Sequence, residues 1–137
     1  MDIQAIQQGL AAAAATITGL RGYPSLIDAI NPPAFAPVEL ELSYDRTFQA
    51  GAYGMVETLF SCGLYVSRGD SDAGRAALVG YLAPTGPTSI KAALEANRSL
   101  GGTAKNLEVE RVRGAYRLYT IGLTDYLGAV FDVRVWS

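Results

Sequence analysis

The stretch MVETLFSCGLYVS, Met55–Ser67, decides how the rest of the chain is read. At a period of two, one row is Val56, Thr58, Phe60, Cys62, Leu64 and Val66, uniformly apolar or β-branched. The other row, Met55, Glu57, Leu59, Ser61, Gly63 and Tyr65, is mixed. Side chains alternate between the faces of a strand, so the pattern predicts a central strand with one face buried on helices and the other partly wet.

Immediately upstream, Val38–Tyr44 sets Val38, Leu40, Leu42 and Tyr44 against Glu39, Glu41 and Ser43, which predicts a half-buried strand with an acidic outer row. Between these two strands Asp45–Gly54 has no period and reads as a mobile hairpin tip or lid. Its Arg46, Phe48 and Tyr53 are the candidates for touching a partner. Downstream, Ser67 or Asp70 caps a helix over Ser71–Leu82, with Ala77, Leu78, Tyr81 and Leu82 as its buried stripe. Pro84, Gly86 and Pro87 break it. Thr88 or Ser89 then caps a short helix, Ile90–Asn97, which stops before Gly101-Gly102.

At the amino end Asp2 caps a helix over Ile3–Thr18, with Ile3, Ile6, Leu10 and Ile17 at helical spacing and Gly19 as its stop. A short strand in Leu20–Pro24 and a loop closed by Pro32-Pro33 follow. The last quarter reads as a meander of three strands: Leu107–Arg113, then Ala115–Ile121 after a tight turn at Gly114, then Tyr126–Trp136. In the last of these Leu127, Ala129, Phe131, Val133 and Val135 point inward, with Asp132 and Arg134 outward. The order α-β-β-β-α-α-β-β-β predicts one α+β domain over residues 1–137, a mostly antiparallel sheet with helices packed on one face.

Composition narrows the chemistry. The chain has 137 residues, 50% hydrophobic and 18% charged, which is enough apolar material for a packed core and too much for disorder. It has no histidine, so Ser-His-Asp and Cys-His catalysis and His-ligated metal sites are excluded. Its single cysteine, Cys62, has no internal disulfide partner and falls on the apolar row as a buried thiol. Asp2 and three glutamines stand where the basic start and apolar core of a leader belong, and no apolar run reaches membrane-spanning length. A soluble intracellular protein is expected.

The net charge of −2 is unevenly spread and does not suit a dedicated nucleic-acid binder. Met1–Cys62 carries two basic and six acidic residues, whereas Gly63–Ser137 carries nine and seven. The alternatives are plain solvated charge and two surfaces of opposite sign that favour self-association.

Three groups of residues suggest chemistry. Gly86-Pro87-Thr88-Ser89-Ile90-Lys91 approaches a phosphate loop but lacks the second glycine and the Lys-Ser/Thr order, so a turn and helix cap is the better reading. Glu39 with Glu41, and Glu108 with Glu110, lie two apart on strands and hence on one face. Such pairs serve acid–base work only where burial or repulsion splits their pKa values, and on a wet row they are ordinary charges. Arg111, Arg113 and Arg117 are mixed with Tyr116 and Tyr119, either as a stacking surface for nucleic acid or, in better accord with the nearby glutamates and the acidic balance, as an interface or plain sheet surface.

The segment from Tyr119 to Val135, together with the opening helix Asp2–Thr18 and Leu20–Pro24, resembles small neck proteins of long-tailed bacteriophages. The element order, the length and the irregular loop after the acidic strand are similar to those of tail terminator proteins. That resemblance implies a tail-terminator-like fold and a homo-hexameric ring on the last ring of the tail tube. The ring stops tube growth and presents a surface to the head-side connector or stopper protein. Such a protein assembles in the host cytoplasm and resides in the virion neck, with DNA passing through unbound, no membrane, no cofactor and no catalytic residues. On this basis Arg111, Arg113 and Arg117 are subunit-interface candidates, facing Glu39, Glu41 and Asp45 of a neighbour. Glu39, Glu41, Glu57, Glu108 and Glu110 are candidates for the lumen wall. The other readings are a head–tail stopper or neck adaptor of similar size and, from a different class, a hydrolase using Glu108 and Glu110.

Overall fold

Five strands and three helices carry the fold in a computed structural model that describes residues 2–25, 30–43, 56–67 and 71–137, with 71–74 described by their backbone alone. The strands are β1 (Arg21–Gly22), β2 (Ala34–Ser43), β3 (Glu57–Ser67), β4 (Asn106–Ile121) and β5 (Thr124–Trp136). The helices are α1 (Ile3–Ala15), α2 (Ser71–Leu82) and α3 (Ile90–Glu95). The sheet order is β1-β2-β3-β5-β4, so the quoted stretch does supply the central strand. Every pairing is antiparallel except β1 with β2. The chain is therefore α+β with a mostly antiparallel sheet. No described helix is long and apolar enough to cross a membrane.

The core lies between the helices and one face of the sheet. Thr58, Phe60, Cys62, Leu64 and Val66 of β3 are all buried there, beside Phe131, Val133 and Val135 of β5 and Ile6, Leu10, Leu78, Ile90 and Leu94 of the helices. Phe35 and Phe131 pack with ring centroids 6.3 Å apart. Each fully buried side chain of this size contributes about 1.5–3 kcal/mol. Asp2 caps α1 by accepting from the Ala5 N–H at 3.0 Å. The helix stops at Ala15, short of the expected Thr18, where the backbone tightens to i, i+3 bonds from Thr16 to Ala13 and from Ile17 to Ala14 before Gly19 takes a positive φ. Gly22 lets β1 lie against α1: a Cβ there would stand 2.0 Å from the Ala11 carbonyl oxygen.

Four expectations need correction. β2 begins at Ala34, and its best-buried part is Ala34–Pro37 rather than the alternating Val38–Tyr44. A bulge between Pro37 and Glu39 leaves Val38 exposed and moves the core-facing row from Phe35 and Pro37 to Leu40 and Leu42. The last quarter holds two strands, not a meander of three. Gly114 and Tyr116 take positive φ (62° and 64°), but they form a bulge between Arg113 and Arg117 while β5 runs on alongside, so the chain bends without reversing. The reversal comes at Gly122-Leu123, between the paired Ile121 and Thr124. Ala77 is exposed, since α2 turns Leu78 and Tyr81 inward. Asp132, expected on the solvent row, does face away from the helices but is only 1% exposed. The loop Asp45–Gly54 lies outside the described residues.

Candidate interaction surface

The sheet face without helices divides into two halves. At one end Tyr65, Tyr126, Ile121, Ala34 and Ile30 form a second apolar cluster, with Tyr23 and Tyr119 packed on it. Tyr65 meets Tyr119 edge-on at 5.9 Å, and the Tyr119 hydroxyl donates to the Gly114 carbonyl at 2.8 Å. Tyr119 is thus spent on packing rather than on a stacking surface with the arginines.

The other end is charged and ordered by strand register. One row across the sheet runs Glu39 (β2), Ser61 (β3), Asp132 (β5), Arg111 (β4). The next runs Glu41, Leu59, Arg134, Glu108. Asp132 is the organising residue. Arg111 donates from Nε to its Oδ2 at 2.5 Å, and Arg113, the diagonal neighbour two residues on, donates from Nε to its Oδ1 at 3.1 Å. Arg113 also donates from its terminal nitrogen to the Ser61 hydroxyl at 3.1 Å. The two guanidinium groups cover Asp132 while staying 68% and 50% exposed themselves. The hydrogen bond to Asp132, and then its charge, raise the Arg111 pKa above its ordinary value. On the core side of the neighbouring strand β3, burial pushes the Cys62 thiol well up, with the Asp132 charge adding to it, so the thiol is an inert part of the core.

Of the five expected lumen residues, Glu39, Glu41 and Glu108 are exposed on this face. Glu57 shares the face but is only 7% exposed and pairs with Arg134. Arg134 also pairs with Glu110, the extra residue of a bulge between Val109 and Arg111. The face therefore carries a mixed layer of charge rather than an unbroken acidic row. Arg111 and Arg113 lie on it with the glutamates but take Asp132 as their partner, and Arg117 lies beyond the second bulge, opposite Gly128. Glu39, Glu41, Arg111 and Arg113 rim a shallow depression of about 220 Å³ floored by Leu59 and Ser61. Among the described residues neither Glu39 nor Glu41 makes an ion pair. Arg46, Phe48 and Tyr53 lie outside the described residues.

A second arrangement went unread in the sequence. β4 is an edge strand, and side chains that follow α3 and end it occupy part of its outer side. The Glu95 carboxylate accepts from the Val109 N–H at 3.0 Å, and Arg98 donates to the Leu107 carbonyl at 2.7 Å. Lys91 holds Glu95 in place at 2.6 Å. Burial alone would raise the Glu95 carboxyl, but the hydrogen bonds from Lys91 and Val109 and the nearby Lys91 and Arg98 charges outweigh it and hold the pKa below its ordinary value. The i, i+4 spacing of Lys91 and Glu95 was the available signal; their reach to a strand 14 residues on was not.

Other candidates resolve simply. Ser89, not Thr88, caps α3, accepting from Ala92 N–H at 3.0 Å, and Lys91 faces Glu95 instead of a phosphate loop. Glu110 is held by Arg134, and Glu108 stands exposed opposite Arg134 in the register, so an arginine rather than a second acid is the partner of this pair. No group of three potential metal ligands occurs among the described residues. Set against known protein families, curated proteins and solved structures, the chain shows no match.

Proposed function

We propose that this chain is a structural subunit that assembles with copies of itself, as a tail-terminator-like ring in the neck of a long-tailed bacteriophage. The observation that carries the reading is the two-sided sheet. One face is sealed by helices, and the charged end of the other is open and pinned in register by Asp132, Arg111, Arg113 and Arg134. A subunit that turns its uncovered face to a lumen needs a rigid, wet and weakly adhesive wall. Basic groups free in a channel would neutralise phosphates and add sequence-independent affinity for DNA. Here Arg111 and Arg113 share a buried aspartate and Arg134 is shared between two glutamates, Glu39, Glu41 and Glu108 add negative charge, and Arg117 stands apart from them toward the tyrosine end, opposite Gly128. Self-assembly also suits a chain whose acidic strand β2 and basic strand β4 lie toward opposite sides of one sheet.

Mass measurement under native conditions tests the reading. Six copies in a ring, and capping of purified tail tubes that halts their growth, are the expected results. A chain that stays at one or two copies at all concentrations and leaves tube growth unchanged would sink it.

A further inference from the structure

Among the described residues the sheet has two open edge segments of opposite charge. On β2 the outer side pairs with β1 only at Ala34 and Phe35, and among the described residues nothing else pairs with the outer side of Val38–Ser43. On β4 Glu95 and Arg98 cover Val109 and Leu107, and the edge opens at Arg111 until the bulge that follows Arg113. Outward backbone groups belong to core-facing residues on both edges. The Phe35 carbonyl accepts from the Tyr23 N–H, the Leu107 carbonyl accepts from Arg98, and the Val109 N–H donates to Glu95. By the two-residue period, the next such residues past each bulge are Leu40 and Val112. Among the described residues neither segment bonds to anything outside the sheet's own ladders and its Asp132 and Ser61 contacts.

We infer that the β4 segment Arg111–Arg113 of one copy adds antiparallel to the β2 segment Glu39–Glu41 of a second copy, with Val112 opposite Leu40. In this register Arg111 stands opposite Glu41 and Arg113 opposite Glu39 on the uncovered face, and the two apolar residues meet on the helix side. Direction agrees: β2, β3, β5 and β4 alternate in sense, so β2 and β4 run oppositely, and a copy set alongside with its helices on the same side presents an antiparallel edge. The Nε groups of both arginines are committed to Asp132 and one terminal nitrogen of Arg113 to Ser61, and the terminal N–H groups that stay exposed are what a neighbour's carboxylate would meet. The contact is heterologous, so repetition closes a ring or runs on as a filament. This seam deepens the ring reading but does not depend on the number six.

Paired cysteines test it. In a Cys62→Ala background, chains carrying Glu39→Cys and Arg113→Cys are mixed under mild oxidation. The two positions form a non-hydrogen-bonded pair with Cα atoms about 4.5 Å apart, within disulfide reach. A disulfide-linked heterodimer is expected at many times the yield of either chain alone, or of Ser43→Cys mixed with Arg113→Cys. Glu41→Cys with Arg111→Cys repeats the test in case losing Arg113 loosens the fold, which circular dichroism checks. Glu39→Lys combined with Glu41→Lys should abolish association in sedimentation velocity. A six-membered ring that forms without either cross-link overturns this seam and leaves the ring reading standing. Cross-linked open chains that never close keep the seam and overturn the ring. Monomers without cross-links overturn both.

Discussion

Asp132 shows how much one side chain can organise when burial and pairing coincide. It is nearly inaccessible, flanked by Phe131 and Val133 in the apolar strand β5, and accepts from two arginines of β4. A buried carboxylate without such donors would be strongly unfavourable; with them it ties two strands together. Asp132→Ala removes two charge-assisted hydrogen bonds but leaves two arginines able to reach water, so the net loss is expected to be about 2 kcal/mol. Urea denaturation measures it, and a midpoint equal to that of the parent protein would remove Asp132 from this role. Asp132→Asn, which keeps an acceptor, should cost about half as much. The sequence showed Asp132 as one polar residue in a clean alternation, and its face was legible. Its burial was not, because that depends on two arginines brought over it by a bulge one strand away.

At the scale of elements, period and caps were readable and irregularities were not. α1 and α3 follow from spacing and capping residues, and α2, β3 and β5 from spacing, with ends shifted by a few positions. β2 and β4 were misdrawn where bulges fall, because a bulge cancels the alternation on which strand reading rests. Gly114 looked like a turn, and its positive φ is real, but a glycine in that conformation serves a bulge equally well. The Glu95 and Arg98 contacts occupy backbone groups that would otherwise template a foreign strand. Glu95→Ala should therefore leave the fold largely intact and raise self-association, read as larger species in sedimentation velocity. Acid should do the same. The Glu95 pKa is depressed in the folded chain, so its contribution is present above the ordinary 4.5 and is lost as pH falls through the folded value. Association that is unchanged by the substitution and by acidification below that range would show that Glu95 does not guard the edge.

Across the whole molecule, the uneven charge of the sequence becomes a spatial division, because the strand order carries Glu39 and Glu41 to one side of the sheet and Arg111 and Arg113 to the other. The asymmetry could be counted in advance; which edges would carry it depended on β5 inserting between β3 and β4. Exposed pairs contribute only about 0–1 kcal/mol each, so in the proposed assembly opposed charges would steer and register two copies while apolar contacts would hold them. Raising salt from about 0.1 M to about 1 M shortens the screening length from roughly 10 Å to roughly 3 Å. It should slow assembly in light-scattering time courses without dissolving assemblies already made. Rates indifferent to salt would leave the division of charge without a role. The half-covered edge of β4 has one more consequence. In the proposed assembly, a seam limited to three residues a side would be weak when made alone, so a misplaced copy would fall away before the next arrives, and only a closed circuit of many such seams would last. Proofreading of this kind costs no energy source; it needs only that each single contact be forgettable.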